Sequence, residues 1–211
     1  RVRTLVYNTD MVRPDELPGS VLDLTGPAYR GKVAVAPSNG SFQDFVSGLR
    51  EDRGDDTTRA FLEGLRDNGA EAYANNTAIV EAVARGEIEM GLVNHYYIAR
   101  AKAEDADVPL ATHFFGPGDP GRMLLITAVG IVDSAGAMAD EASRLVSYLL
   151  RPEAQRYFAE ETFEYPLATE ARAVPSVASL EEVEPTVVEL GPLGADLEAT
   201  IEMIEESGLS R

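Results

Sequence analysis

The hydrophobic period of this chain changes abruptly between residues 32 and 49, and that change constrains the fold more than any other feature. Lys32-Val33-Ala34-Val35-Ala36 is a short β-favouring run stopped by Pro37. The turn Ser38-Asn39-Gly40-Ser41 follows, and Phe42, Phe45, Val46 and Leu49 then recur three and four residues apart, as on one face of a helix. Strand, glycine turn and helix in succession form the repeating unit of an open α/β sheet.

The same alternation runs through the rest of the chain. Arg1 to Asn8 alternates polar and apolar residues as a strand does, so the chain opens inside an element and a preceding segment is expected. A helix over Asp56–Asn68 buries Phe61, Leu62 and Leu65. Tyr73 belongs to a short strand, and Asn75-Asn76-Thr77 then opens a helix carrying Ile79, Val80 and Val83, where the ordinary role for Asn76 is an N-cap. Met90–Val93 and Leu110–Phe114 are further strands, and Met123–Val132 reads as a long apolar one. Helices are predicted over Met138–Leu150, Pro152–Thr162 and Leu197–Ile204, with a linker of little periodicity over residues 171–192. The pattern predicts an α/β fold with mainly parallel sheets.

Charge and composition remove several functions. With 36 acids against 18 bases the net charge is −18, which disfavours nucleic acid and anionic membrane surfaces and suits a cationic ligand. The absence of cysteine excludes disulfides, zinc-thiolate sites, iron–sulfur clusters and a thiol nucleophile. No run of about 18 apolar residues exists to span a membrane. No Gly-x-Ser-x-Gly elbow, phosphate loop or His-Glu-x-x-His pair is present, so the chain does not read as an enzyme.

Polar residues gather instead at three strand-to-helix turns: Ser38-Asn39-Gly40-Ser41, Asn75-Asn76, and Asn94 with Tyr96 and Tyr97. In an open α/β sheet such turns converge at the carboxyl ends of the strands, where ligands bind. The first two turns also open helices whose free N–H groups favour an anion. Tyr96 and Tyr97 fall where the backbone is entering a helix, so both phenols can lean over one cleft. Phenol is a poor base at neutral pH, but a multivalent cation stabilises the phenolate, and hard anionic oxygen suits ferric iron. Two phenolates leave a trivalent ion with positive charge and open positions, which a small anion held by the Asn and Ser turns would fill. Alternation along the strand end points His95 away from the cleft, and His113 reads as structural.

Several segments also carry a family resemblance. Asn8-Thr9-Asp10, Pro37 through Phe42, Asn75 through Val83, Gly91 through Tyr97, His113 through Gly121 and Glu161 through Pro166 resemble the ferric iron-binding proteins of bacterial ABC importers. The resemblance implies a type II periplasmic-binding-protein fold of two lobes that closes over Fe3+ and delivers it to a membrane permease. It implies Tyr96 and Tyr97 as metal ligands, and Ser38, Asn39, Gly40, Ser41, Asn76 and Asn94 as holders of a synergistic anion, phosphate or carbonate. Some relatives have a further Tyr near Asn39 and Gly40; its absence here favours the anion-dependent type. By the same resemblance residues 1–8 form a hinge-crossing strand and 9–122 the second lobe. Residues 123–176 return to an incomplete first lobe, whose N-terminal segment is missing, and 177–211 form a linker and a helix packed on the second lobe. The location implied is periplasmic or extracytoplasmic, with a lipid anchor on the precursor as one form. The alternatives are a same-fold receptor for a small anion or other solute without metal, discriminated by the Tyr pair, and the effector-binding domain of a transcription regulator.

Overall fold

The computed structural model describes residues 1–168, 170–189 and 196–210. A five-stranded sheet forms its centre, built from β1 (Arg3–Asn8), β2 (Val33–Val35), β3 (Glu71–Ala72), β4 (Met90–Asn94) and β5 (Leu110–His113) in the order β3-β2-β4-β1-β5. Strand β2 runs parallel to β3 and β4, whereas β1 lies antiparallel between β4 and β5. The mainly parallel sheet expected from the sequence therefore holds for every strand except β1. Tyr73 sits immediately beyond β3 and keeps one sheet bond, its N–H donating to the Val35 carbonyl.

Helices cover both faces. Alternation along β1 sends Leu5 and Tyr7 to one side with Met90 and Leu92 of β4, against α1 (Gly40–Arg53) and α2 (Asp55–Asp67). Val6 and Val93 point to the other side, against α3 (Asn76–Ala84) and α4 (His95–Glu104). Gly91 lets α3 lie close against the sheet, since a Cβ there would overlap Ile79.

The chain then leaves the sheet through α5 (Ala139–Leu149), α6 (Pro152–Glu161) and the short α7 (Leu180–Val183), and ends in α8 (Leu197–Ser207). The last helix returns to α1 and α2, where Ser47 Oγ donates to Thr200 Oγ1 at 2.9 Å and Arg66 Nη1 to the Ser207 carbonyl at 2.7 Å. Part of the linker expected over 177–211, namely 190–195, lies outside the described residues, as does residue 211.

The long strand expected over Met123–Val132 does not form. Leu124 makes an isolated bridge to Val2 and Met123 another to Thr186, after which residues 126–132 have no ladder and leave Ile126, Val129, Ile131 and Val132 exposed. A strand needs a neighbouring ladder to satisfy its N–H and C=O groups, and no strand among the described residues pairs with this run. No helix among the described residues is long and apolar enough to cross a membrane.

Candidate metal and anion site

The β1–β4 register sets Arg3 opposite Asn94 at the carboxyl end of β4, with both side chains directed toward the start of α1. Arg3 is 1% exposed. Its Nη1 donates to Asn94 Oδ1 at 3.1 Å and to Ser41 Oγ at 3.4 Å, and its cation lies 5.6 Å from the centre of the Phe45 ring. No carboxylate among the described residues forms an ion pair with it. Burial, and secondarily the neighbouring Arg1, pull its pKa down to about 9. Two donors of this cluster are buried without partners, Arg3 Nη2 and Asn94 Nδ2. A buried unpaired cation and a buried free amide are both costly, and an anion would relieve both.

Asn76 completes the cluster. The N-cap role belongs to Asn75, whose Oδ1 accepts from the Ala78 N–H at 2.9 Å, so Asn76 is free to turn inward. It is fully buried; its Nδ2 donates to Ser41 Oγ at 3.0 Å, and its Oδ1 meets no partner. Rotated by 180°, the same amide presents an N–H in that space. Asn39 is occupied as the cap of α1: its Oδ1 accepts from the Ser41 N–H at 3.1 Å and from the Ser41 hydroxyl at 2.7 Å. Of the first turn, Ser41 alone is buried, while Ser38 and Gly40 are exposed and Asn39 is half-buried at the rim.

Tyr96 and Tyr97 occupy the first turn of α4, half-buried, with ring centroids 4.4 Å apart and planes inclined by 30°. They stand together, as the strand-to-helix turn predicts. Burial, then the adjacent Tyr97 hydroxyl, push the Tyr96 phenol up to about 12, while the Asn94 amide and the Arg1 cation draw it back. Arg100 lies over the outer face of Tyr97, 5.2 Å from its centre. Both phenols are thus held just beyond Asn94, and a cation that replaced their protons would sit beside the Arg3 cluster. No group of three or more His, Cys, Asp or Glu suited to a metal occurs among the described residues, and the two phenol hydroxyls are the groups here that a hard cation could take as ligands.

Neither histidine competes for that role. His95 accepts the Val2 N–H on Nδ1 and donates from Nε2 to the Phe163 carbonyl. His113 Nε2 donates to the Pro18 carbonyl at 2.7 Å. Arg3 is the site residue that turn chemistry and motifs do not reveal. Its signal is nonetheless present in the chain: it shares the parity of Leu5 and Tyr7, so a strand that buries those two must bury an arginine with them.

A family model described as a bacterial extracellular solute-binding protein matches residues 2–184. The chain is similar to the Fe(3+)-binding periplasmic protein of Serratia marcescens, with 28% identity over 99% of this chain and 62% of that relative. It is 31% identical to the major ferric iron-binding protein of Neisseria meningitidis, over 88% of this chain and 54% of that protein. Among solved structures, iron-bound HitA from Pseudomonas aeruginosa superposes with a TM-score of 0.92 at 27% identity, over 99% of this chain and 67% of that one. The chain therefore spans 54 to 62% of the length of these curated relatives.

Proposed function

The chain belongs to the bacterial extracellular solute-binding proteins, and from that premise we propose that it carries the phenolate and anion half of a ferric iron site in an extracytoplasmic receptor. The observation that carries this reading is the stacked Tyr96–Tyr97 pair beside a buried cluster with two unpartnered donors. Iron is the cargo. Its charge replaces the phenol protons, and the phenolates neutralise part of that charge. Arg3, Asn94, Asn76 and Ser41 hold a phosphate or carbonate whose remaining oxygens face the metal, with Ser38, Asn39 and Gly40 forming the rim at the N-terminus of α1. The names of the relatives from Serratia and Neisseria support iron as the cargo.

On this reading residues 9–122 with β1 and α8 are the second lobe, and residues 123–176 belong to the first lobe, which supplies further ligands and closes over the ion. Release then occurs to a membrane permease of the ABC type. A receptor for an anion alone would have no use for two phenols stacked at the mouth of the site, which sets that alternative second.

Ferric nitrilotriacetate titrated into the protein should raise a visible phenolate-to-iron band. Tyr96→Phe and Tyr97→Phe should each weaken it, and the double variant should abolish it. A band that survives in the double variant removes these residues from the site.

A further inference from the structure

His95 is 4% exposed and touches three parts of the chain at once. The Val2 N–H, one residue ahead of β1, donates to Nδ1 at 3.1 Å, so that nitrogen carries no proton. The proton of the neutral ring is then on Nε2, which donates to the Phe163 carbonyl at 3.0 Å. One ring face stacks on Tyr165 at 4.5 Å and 25°, and the imidazole meets Tyr96 edge-to-face at 5.8 Å and 87°.

Phe163 has a φ of 59°, in the left-handed region that a bulky side chain enters only at a cost. This backbone ends the turn after α6, in which the Glu164 N–H donates to the Phe158 carbonyl at 3.1 Å. The strained residue is the one whose carbonyl His95 binds. Tyr165, the ring stacked on His95, is anchored in turn by its hydroxyl, which donates to the Ala178 carbonyl at 2.7 Å.

We infer that His95 is a positioning residue that fastens the Phe163–Tyr165 turn to the tyrosine pair, holding the Tyr96 ring in place for the metal. The effect on iron rests on the function proposed above, whereas the clamp itself can be measured without metal. Residues 163–165 lie beyond the run that leaves the sheet at Leu125, so this ring joins the start of α4, where the phenols stand, to the part of the chain that departs from the sheet.

The two hydrogen bonds can be separated chemically. Asparagine places an amide oxygen near the position of Nδ1, so His95→Asn keeps the Val2 bond and loses the Phe163 bond. Glutamine places an amide nitrogen near Nε2, so His95→Gln does the reverse. Each variant retains one anchor.

Three measurements test the clamp. In the metal-free chain, 15N NMR of the ring at neutral pH should report the Nε2–H tautomer. Amide exchange should rise about two- to twelvefold at Glu164 in His95→Asn and at Val2 in His95→Gln, the range for one lost net hydrogen bond. In the ferric nitrilotriacetate titration both variants should bind several-fold more weakly, with a displaced phenolate band. An Nδ1–H tautomer, or unchanged exchange at both amides in both variants, would overturn the clamp. Altered exchange with an unchanged iron titration would overturn its positioning role. If the unsubstituted protein itself gives no phenolate band, the iron reading fails, and the exchange arm still decides whether the clamp exists.

Discussion

Arg3 and Asn94 face each other across the antiparallel β1–β4 pair, and the guanidinium Nη1 donates to the amide oxygen at 3.1 Å while its other terminal nitrogen remains buried and unpartnered. A cation this deep stabilises the protein only when an anion is beside it. Arg3→Met keeps much of the side-chain volume and removes the charge, so it should have opposite effects on stability and on binding. The anion-free protein should be as stable as the parent or more so, by up to about 1 kcal/mol, because an unpaired buried charge has gone. The dependence of ferric affinity on phosphate or carbonate should disappear. Urea unfolding and iron titration in anion-free and anion-rich buffer measure the two; a strongly destabilised variant that retained its anion response would contradict the assignment.

Asn76 and Asn94 should behave alike despite lying on different elements. Each offers the anion an amide that the fold leaves partly unused, and a hydrogen bond to a charged group is worth about 1.5–3 kcal/mol. Asn76→Ala and Asn94→Ala should therefore each weaken anion-supported iron binding about tenfold or more. Asn75→Ala, by contrast, should cost about 1 kcal/mol of stability through loss of the α3 cap and leave the anion response unchanged. Calorimetric titration with phosphate in the presence of ferric nitrilotriacetate separates these outcomes.

The face formed by residues 126–158 should make the 211-residue chain associate in solution. Ile126, Val129, Val132, Leu145 and Tyr157 are exposed, and Leu124, Leu149, Phe158 and Leu180 line an open hollow of about 240 Å3 beside them. Contiguous apolar surface of this kind is rare on monomers. Sedimentation velocity should show concentration-dependent self-association. Substituting Val129, Leu145 and Tyr157 together by polar residues should reduce it without altering the Tyr96–Tyr97 site, and a monodisperse monomer at high concentration would contradict the expectation.

Stability of the metal-free protein should fall as the pH drops through the His95 window. Burial holds its pKa down to about 4 from the ordinary 6.5, against the opposing pull of the Phe163 and Val2 backbone bonds. Above 6.5 the ring is neutral in both folded and unfolded chains and contributes no pH dependence. Between 6.5 and 4 the unfolded chain takes up the proton first, so stability declines, by a total on the order of 3 kcal/mol. Below 4 the contribution is complete. Urea unfolding of the parent and of His95→Gln at pH 7.5, 5.5 and 4 should give a steeper decline for the parent; equal slopes would show that other groups dominate.

Residues whose role depends on neighbours along the chain are legible in the sequence, and residues whose role depends on partners across the sheet are not. The helix from Phe42 to Leu49, the strand at β2 and the position of Tyr96 and Tyr97 at the entry to α4 follow from period and turn chemistry alone. Arg3 escapes such reasoning because its partners are 38 and 91 residues away, and only the β1–β4 register brings them together. The antiparallel course of β1 is hidden for the same reason, since apolar periodicity carries no strand direction. Met123–Val132 misleads in the opposite sense: its composition suits a strand, but strand formation requires an adjacent ladder partner. Asn75 and Asn76 are equal candidates for the helix cap by residue type, and packing against Ser41 decides which one turns inward.

The position of β1 also sets an order on synthesis. It is made before both of its sheet partners, is buried along its whole length, and pairs on one side with Met90–Asn94 and on the other with Leu110–His113. Neither edge can be satisfied until about a hundred further residues have been added, which at ribosomal rates of about 5–20 residues per second means roughly 5–20 s. Throughout that interval a strand containing Leu5, Val6 and Tyr7 has no native neighbour, the condition under which unpaired edges recruit other chains. A chain built this way depends on being kept from its own copies while it grows, and substitutions that slow the formation of β4 or β5 should lower the yield of folded protein even where the finished fold tolerates them.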